Sequence, residues 1–334
     1  MLIGFGVPVS GSWATPGNIV RVARRAEALG YHALWTFQRL LSPVDAGWGE
    51  VYRSVLDPTV TLAFLAGVTE RVRLGTAVVN LPFVSPVVLA KQFTTLDVVC
   101  AGRLDVGLGL AWAEEELTAT GTPKRRRGRR AEEYLDVLKA LWTRDVVEHA
   151  GEFYRVPRMR AEPKPAQRPH PPLLLGGSAP AALRRAGRIA DGWISGSAAD
   201  LRPIREGVRV VRAAAEEAGR DPSGLRFVCR GAVLFRPAGG APRRPLAGTP
   251  DQIRADIEDL AALGITELFI DLNFDPRIGS PDADPAESMR RAEEALEAFA
   301  PAGGLGSGPE QGVVAWHATS SSEAGSSDSP PRTG

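Results

Sequence analysis

The sequence predicts a (β/α)8 barrel, and two features of the chain carry that prediction. First, short apolar or β-branched runs alternate with amphipathic helical stretches, a pattern typical of a parallel sheet with helices packed against it. Second, the chain contains eight such strand-and-helix units with no strand left over, in a folded body of about 300 residues. Eight units of this size predict closure into a barrel. An open, doubly wound sheet is the alternative.

The predicted elements follow one another in a regular order. The eight strands are predicted at 2–6, 32–36, 72–79, 104–109, 173–176, 193–195, 227–235 and 267–273. The helices that follow them are predicted at 16–29, 58–68, 86–99, 129–141, 180–190, 204–218, 250–263 and 285–299. Pro16 suits the first turn of its helix after Thr15, and Gly30 and Gly264 stand where a helix ends before a strand begins.

Composition and charge narrow the class of protein. The chain has 334 residues with 40 Lys and Arg against 39 Asp and Glu, a formal net charge of +1. A dedicated nucleic-acid-binding protein normally carries a basic excess, so no nucleic-acid partner is expected. The two cysteines, Cys100 and Cys229, cannot build a disulfide framework and are expected to be buried thiols in a reducing compartment.

The sequence contains no recognisable targeting signal and no predicted membrane-spanning segment. The first ten residues lack the basic region that opens a signal peptide. The longest stretch without a charge, 74–90, contains two prolines and falls short of the roughly 20 apolar residues that a span needs. We therefore expect a soluble, cytoplasmic protein with no membrane partner.

The last part of the chain differs in composition from the rest. From Gly303 onward the residues are mainly Gly, Ser and Pro. Such a segment buries too little apolar surface to offset the entropy cost of ordering it. We therefore expect a barrel domain at 1–302 and a disordered tail at 303–334.

In a (β/α)8 barrel the site lies at the carboxyl ends of the strands. The residues that follow the predicted strands are mostly small, apolar, glycine or amide, with little that titrates near neutral pH. The four histidines lack metal-ligand spacing, and no metal site is expected. The sequence contains no GxSxG, no Walker-type loop and no GxGxxG. A pocket of this kind suits a flat organic cofactor that brings the chemistry with it.

The strongest local signal is the turn before the fifth predicted helix. The strand 173–176 ends in Gly176 and Gly177, Ser178 follows, and a helix is predicted to begin at Pro180. The backbone N–H groups of Gly177 and Ser178, with the helix dipole behind them, would suit a phosphate group. A tight strand-to-helix turn without a ligand is an equally good interpretation.

Other charged or aromatic positions have a structural interpretation, and some of them have a functional one as well. The basic run 124–130 is ordinarily a solvated surface, and its functional interpretation is a clamp for a long acidic cofactor tail. RNA binding is disfavoured because no aromatic residue interleaves the run. Asp271 is interpreted as a structural carboxylate paired with an arginine or a loop. Trp112 is either packing or a substrate contact, and 114–116 are expected to start a helix.

Four segments carry a resemblance to a known family. They are AEALGYHALWTFQRLL (26–41), VRLGTAVVNLPFVSPVVLAKQFTTLDVVCAGRLDVGLGLAWAEEEL (72–117), RAEEYLDVLKALWT (130–143) and LLLGGSAPAALRRAGRIADGW (173–193). Their spacing is continuous, and the chain resembles the bacterial luciferase-like oxidoreductases, in particular the actinobacterial branch that uses the deazaflavin coenzyme F420. The resemblance implies a (β/α)8 barrel, often a homodimer, with the cofactor ring at the carboxyl-terminal mouth.

The resemblance also implies which residues hold the cofactor. In the family the third strand ends in a non-proline cis peptide behind the ring, and the matching bond here is Ala77–Val78. After the second strand, F420 enzymes commonly carry an acidic residue and a His, whereas this chain has Gln38 and Arg39. An arginine cannot act as a general base at neutral pH, so these two catalytic candidates are expected to orient the ring or the substrate. The implied cofactor-binding residues are Ala77, Val78, Asn80, Gly107, Gly109, Leu110, Gly176, Gly177 and Ser178.

Three functions follow from these observations, in order of preference. The first is hydride transfer between coenzyme F420 and a small organic substrate with an activated C=C, C=N or C=O bond. The second is an FMN-dependent monooxygenase that uses O2. The third is a flavin- or deazaflavin-binding protein without turnover. Substrate specificity is expected in the loops 40–56, 144–171 and 236–248, where Trp48 and Tyr52 are the first aromatic contacts to consider.

Overall fold

The computed structural model describes residues 1–45, 47–197, 201–237 and 243–301, without the side chains of residues 197, 201 and 202. The predicted tail at 303–334 lies outside these residues. The barrel strands are β1 (Leu2–Gly6), β2 (Ala33–Thr36), β3 (Arg73–Thr76), β4 (Leu104–Gly109), β5 (Leu173–Gly176), β6 (Gly192–Ser197), β7 (Arg226–Ala232) and β8 (Glu267–Asp271). The helices that follow them are α1 (Pro16–Ala28), α2 (Pro58–Ala66), α3 (Pro86–Val99), α4 (Arg127–Thr143), α5 (Pro180–Ile189), α6 (Leu201–Glu217), α7 (Pro250–Ala262) and α8 (Pro285–Ala298).

Hydrogen bonds join the eight strands into one parallel barrel in chain order. The first and last strands pair directly, with Leu2 opposite Glu267 and Phe5 opposite Ile270, so the sheet closes on itself. Each neighbouring pair along the chain is parallel, as a strand–helix–strand repeat requires. The predicted (β/α)8 barrel is confirmed, and the open doubly wound alternative is excluded.

Proline and capping side chains define where most of the barrel helices begin. Proline occupies the first position of six of them, at Pro16, Pro58, Pro86, Pro180, Pro250 and Pro285. In five of these the preceding side chain accepts from a free backbone N–H of the first turn; these caps are Thr15, Asp57, Ser85, Thr249 and Asp284. Helix α5 differs, because its N-cap is Ala179, which has no side-chain acceptor.

The barrel interior is filled in layers, and the lowest is a buried ion network at the amino-terminal ends of the strands. Arg226 lies 2.7 Å from Asp105 and 2.8 Å from Glu267. Arg73 also lies 2.7 Å from Asp105, and Trp35 Nε1 donates to Glu267 at 2.8 Å. Each buried carboxylate is paired with an arginine, so the charges can be buried at this depth. The network fills the amino-terminal end of the barrel, and the opposite end is left for a site.

An apolar layer lies above the ion network. The rings of Trp35 and Phe269 stack there with their centroids 5.3 Å apart. The other buried side chains of this cluster are Ala33, Ala77, Leu174, Ile194 and Val228. A second, larger apolar cluster packs the outer faces of the strands against the helices. The barrel is therefore a packed core rather than a channel, and a ligand has access only at its ends.

Three barrel strands end earlier than predicted, β3 and β7 by three residues each and β8, at Asp271, by two. Strand β3 ends at Thr76, because the chain then moves across to β4, where the short strand Val79–Asn80 pairs. Strand β7 ends at Ala232, because the next segment, Leu234–Phe235, pairs with Ala247–Gly248 outside the barrel. Strands β3 and β7 were predicted from continuous apolar runs. Such a run has the same sequence pattern whether or not the chain changes its pairing partner within it.

The long connections contain short elements of their own. The loop 144–171 contains an antiparallel hairpin, Val147–Ala150 with Arg155–Met159. As predicted, the acidic segment 114–116 starts a short helix, Glu114–Ala119. Further short helices lie at Glu50–Tyr52, Leu81–Phe83, Pro222–Gly224 and Pro276–Gly279. In the part of the chain that the structure describes, no helix has the length and apolar character that crossing a membrane requires.

Candidate active site

Aromatic side chains line one side of the mouth formed by the carboxyl ends of the strands. Phe37 packs on Phe274 with the ring centroids 5.2 Å apart, and Tyr52 meets Phe274 edge-on at 5.7 Å. Trp112 lies 6.4 Å from Tyr52 and 4.8 Å from Trp48. We call these five residues the aromatic wall. Three separate connections supply them, and both aromatic residues singled out in the loop 40–56 belong to the wall.

Arg39 is buried within the aromatic wall. Its guanidinium carbon lies 4.8 Å from the centroid of the Trp48 ring and 4.7 Å from those of Tyr52 and Trp112. Its Nη1 donates to Glu116 at 2.6 Å, and both side chains are almost fully withdrawn from solvent. Arg39 is therefore a caged, neutralised cation, and the ion pair fastens the aromatic wall to the short helix that carries Glu116.

A chain of amide hydrogen bonds joins the ends of three neighbouring strands. Gln38 Oε1 accepts from the backbone N–H of Asn80 at 2.8 Å and from its side-chain amide at 3.3 Å. Asn80 Oδ1 in turn accepts from the backbone N–H of Ala111 at 2.9 Å. The structure thus brings together two predicted site residues, Gln38 and Asn80. It directs Gln38 and its neighbour Arg39 to different partners.

Val78 lies in a cradle made by two predicted cofactor-binding glycines. A Cβ added at Gly109 would lie 2.5 Å from one Val78 methyl group, and a Cβ added at Gly176 would lie 3.2 Å from the other. The Ala77–Val78 peptide bond is cis, the geometry that the family resemblance implies for this position. Ala77, Val78, Gly109 and Gly176 therefore form one continuous part of the mouth.

The other two predicted residues on β4 and after it have different surroundings. Gly107 is buried one layer lower, where an added Cβ would lie 1.9 Å from the carbonyl oxygen of Thr76. Thr76 Oγ1 also accepts from the Gly107 N–H at 3.0 Å. Leu110 packs, partly buried, against the larger apolar cluster. Gly107 thus permits the close approach of β3 and β4, and it supports the mouth from below.

The turn after β5 presents backbone to the mouth. Gly177 has a φ of +127°, a value that L side chains rarely adopt, and its carbonyl accepts from Trp193 Nε1 at 2.8 Å. Gly177 and Ser178 are both exposed. Helix α5 begins directly behind them without a side-chain cap at Ala179. Exposed N–H groups at the positive end of a helix dipole are suited to hold an anionic group.

Arg230 and Asp271, on adjacent strands, form the floor of the mouth. Arg230 Nε lies 3.4 Å from Asp271 Oδ2, and Arg230 Nη2 donates to the carbonyl of Ala77. Asp271 accepts from the backbone N–H of Asn273 at 3.0 Å and from its side-chain amide at 2.8 Å. Burial raises the pKa of Asp271 above its ordinary value, although the Arg230 charge and the Asn273 hydrogen bonds oppose the shift.

Asp271 is paired as predicted, whereas Arg230 was missed by the sequence reasoning. The only available signal was a single arginine inside the otherwise apolar segment FVCRGAV. The pKa of Tyr52 also depends on Arg230. Burial raises this pKa, and the charges of Arg230 and Arg39 oppose the rise. The floor and the aromatic wall are therefore in electrostatic contact.

The basic run 124–130 makes several contacts within the protein, and two carboxylates neutralise it in part. Lys124 lies 2.8 Å from Glu114, and both Arg126 and Arg129 pair with Glu152. Two more members donate to backbone carbonyl oxygens, Arg127 to Ala111 and Arg130 to Pro123.

Metal-ligating and nucleophilic side chains are scarce at the mouth. Within the described residues, no three or more His, Cys, Asp or Glu side chains are grouped so that they could hold a metal ion. Cys100 and Cys229 are buried free thiols, as predicted. Burial raises the pKa of the Cys229 thiol to about 11, so this thiol stays protonated at neutral pH.

The fold and the mouth define a (β/α)8 barrel protein whose site is built from backbone, amides and aromatic rings at the carboxyl ends of its strands. The chain matches the luciferase-like monooxygenase family over residues 2–239, which is more than half of its 334 residues. It belongs to that family. The resemblance inferred from the sequence is thereby confirmed at the level of the family.

Two relatives and two solved structures are similar to this chain. An uncharacterized protein of Mycobacterium tuberculosis is 32% identical over 295 residues, 84% of this chain and 92% of that protein. The FMNH2-dependent dimethylsulfone monooxygenase of Pseudomonas putida is 37% identical over 190 residues, 55% of this chain and 51% of that protein. The crystal structure of monooxygenase RslO1 from Streptomyces bottropensis has a TM-score of 0.75 and 25% identity, covering 90% of this chain and 99% of that one. An F420-dependent secondary alcohol dehydrogenase in complex with an F420–acetone adduct has a TM-score of 0.71 and 18% identity, covering 89% and 98%, and shares the fold.

Proposed function

We propose that this luciferase-like oxidoreductase binds coenzyme F420 at the mouth of the barrel and transfers a hydride between it and a small organic substrate. The observation that carries the proposal is the Val78 cradle, which lies beside the exposed backbone of Gly177 and Ser178 at the uncapped start of α5. One part of this surface suits the face of a flat ring, and the other suits a phosphate group. When bound, the cofactor would supply the electrons that the side chains here cannot supply.

The chain's own residues would bind and orient the cofactor and the substrate. Val78, held from behind by Gly109 and Gly176, would support one face of the ring. The Gln38–Asn80 amide pair would set the polar edge of the mouth, because its hydrogen bonds fix both side chains. The aromatic wall would exclude water from the reacting atoms. Arg39 acts through the position of the wall, and we assign it no contact with the reacting atoms.

FMN-dependent oxygenation is the second candidate, and a specific observation favours it. The relative from Pseudomonas putida is an FMNH2-dependent monooxygenase, and RslO1 is a monooxygenase. The same mouth residues would hold either cofactor, because both carry a flat tricyclic ring and a phosphate. Three of the six cations of the basic run already pair with carboxylates of the protein, which weakens one reason to expect the long acidic tail of F420. A protein that binds cofactor without turnover is the third candidate.

A titration of the full chain with coenzyme F420 and with FMN, followed by fluorescence, tests the proposal. We expect F420 to bind at micromolar concentration or tighter and more tightly than FMN. Tighter binding of FMN would move the assignment to the second candidate. Binding of F420 with no turnover across a broad panel of carbonyl, imine and enone substrates would favour the third.

Gly109→Val is the matched variant for this titration. The added side chain would displace Val78, since even a Cβ would lie 2.5 Å from a Val78 methyl group, and we expect it to abolish binding. Gly224→Ala is its control, because a Cβ at this glycine, in the short helix that precedes β7, meets no atom within 4 Å. Failure of both cofactors to bind the wild-type chain would contradict the proposal.

We further propose that the chain forms a homodimer through α2 and α3. These neighbouring helices expose several apolar side chains, and such groups are ordinarily buried in an interface. They are Val60 (70% exposed), Phe64 (44%), Val88 (48%) and Val99 (56%). A second copy of the chain would cover them with the same surface, as a two-fold symmetric interface does. The cytoplasmic location expected from the sequence stays a prediction.

A further inference from the structure

Arg230 is a cation placed at the top of the barrel core, where the apolar layer meets the mouth. Its guanidinium carbon lies 5.7 Å from the ring centroid of Phe269 below it. Phe37 and Phe274 of the aromatic wall lie 5.1 Å and 4.9 Å away. Three aromatic rings therefore surround the group on the protein side. A buried cation in such surroundings costs free energy unless it is well paired.

The pairing of Arg230 within the protein is incomplete. Asp271 is its only acidic partner among the described residues, at 3.4 Å from Nε, which is longer than a charge-assisted hydrogen bond. Arg230 Nε is buried and has no hydrogen-bond partner in the described part of the chain. Asp271 is instead hydrogen-bonded to Asn273, at 3.0 and 2.8 Å. Burial lowers the pKa of Arg230 and raises that of Asp271, as expected for two charges that compensate each other only in part.

The other buried cation of the mouth, Arg39, has a closer acidic partner, although its Nε is likewise buried without a hydrogen-bond partner among the described residues. Arg39 Nη1 lies 2.6 Å from Glu116, and side-chain exposure is 6% and 1% for the two residues. Arg230 retains 14% exposure of its side chain, against 2% for Asp271. The part of Arg230 that remains accessible lies at the mouth, because the protein encloses it from below. The positive charge is therefore available to a group bound there.

We infer that Arg230 stabilises the negative charge that reduction places on the cofactor ring, and that Asp271 offsets part of this effect. The inference rests on the proposed function, because it requires a flavin or deazaflavin at the mouth. Uptake of a hydride delivers two electrons and one proton, so the ring gains one negative charge. A cation beside the ring favours that reduced state over the oxidised state, and an anion beside the cation opposes it. Arg230 thus holds the reduced cofactor more tightly than the oxidised one.

The affinities of the full-length chain for oxidised and for reduced cofactor test this inference without any turnover. Whichever of coenzyme F420 and FMN the wild type binds is used as the probe, and dithionite reduces it under anaerobic conditions. We expect Arg230→Met to lower the ratio of reduced to oxidised affinity at least tenfold, which for a two-electron couple is a shift of about 30 mV in the potential of the bound cofactor. We expect Asp271→Asn to raise the same ratio, because it removes the opposing charge.

Two controls separate charge from packing. Arg230→Lys keeps the charge and should keep most of the ratio. Arg254→Met removes an exposed cation from helix α7, so it should leave the ratio unchanged. If Arg230→Met does not fold, the ratio of Asp271→Asn, which should exceed that of the wild type, still decides the question.

The possible results are distinct. Cofactor binding with a ratio that neither Arg230→Met nor Asp271→Asn changes would overturn this inference and leave the proposed function intact. Failure of the wild type to bind either cofactor would overturn both.

Discussion

The guanidinium of Arg39 lies 2.6 Å from the carboxylate of Glu116, and both side chains are buried. The same carboxylate accepts from the backbone N–H groups of Leu40 at 2.6 Å and Leu41 at 3.2 Å. Glu116 therefore holds both the side chain and the following backbone of the β2 connection. At the position where F420 enzymes of the family commonly carry a histidine, this chain has an arginine in a structural ion pair.

We expect Glu116→Gln to lower the free energy of unfolding by about 3 kcal/mol, because it leaves the buried Arg39 charge without a counter-ion. Urea denaturation of the two proteins measures the change. The double variant Arg39→Met, Glu116→Gln removes both charges and should recover much of the loss. Glu114→Gln is the control, since its pair with Lys124 is exposed and its loss should have little effect. Equal stability of Glu116→Gln and the wild type would show that the ion pair does not hold the loop.

We expect Gly109→Ala to destabilise the protein by about 1–3 kcal/mol and to weaken cofactor binding together with stability. The new Cβ would lie 2.5 Å from Val78 and 3.0 Å from Asn80 Oδ1, so the cradle and the amide pair must both shift. Thermal denaturation and the cofactor titration measure the two effects. Gly224→Ala, in the short helix before β7, should change neither. A Gly109→Ala protein that binds cofactor like the wild type would remove the cradle from the site.

We expect Phe64→Glu combined with Val88→Glu to dissociate the proposed homodimer, because each change buries a charge in an apolar interface. Sedimentation velocity measures the mass in solution. Val44→Glu adds a charge at a loop position that is already 97% exposed, and it should leave the oligomeric state unchanged. A wild-type chain that sediments as a monomer would exclude the interface.

We expect Arg125→Glu to weaken binding of F420 with a long glutamate tail, if the basic run contacts that tail, and to leave FMN binding unchanged. Reversing one charge changes a surface contact modestly, so the effect should be a few-fold at low salt and vanish at physiological salt. The fluorescence titration measures it. Arg24→Glu, on helix α1, is the control for net charge. Unchanged F420 affinity at low salt would leave the run 124–130 as ordinary surface, in agreement with its ion pairs.

Local patterns in the sequence were sufficient to predict the barrel architecture. Apolar runs, proline at helix starts and glycine at helix ends are properties of neighbouring residues, and they located all eight barrel strands. The largest errors in the strand ends fell at Thr76 and Ala232, where a strand ends because the chain changes its pairing partner. Pairing partners are far apart in sequence, and an apolar run is the same whichever strand it joins.

The candidate site was likewise predictable from the sequence only in part. The sequence determined that glycines, amides and aromatic residues would gather at the carboxyl ends of the strands, because a barrel brings those ends together. Only the tertiary structure decided which of them meet: Gln38 with Asn80, Arg39 with Glu116, and Arg230 with Asp271. Each pair joins residues at least 41 positions apart. Which side chains pair at such separations depends on the positions of whole strands and loops, and these positions are set by the packing of the complete barrel.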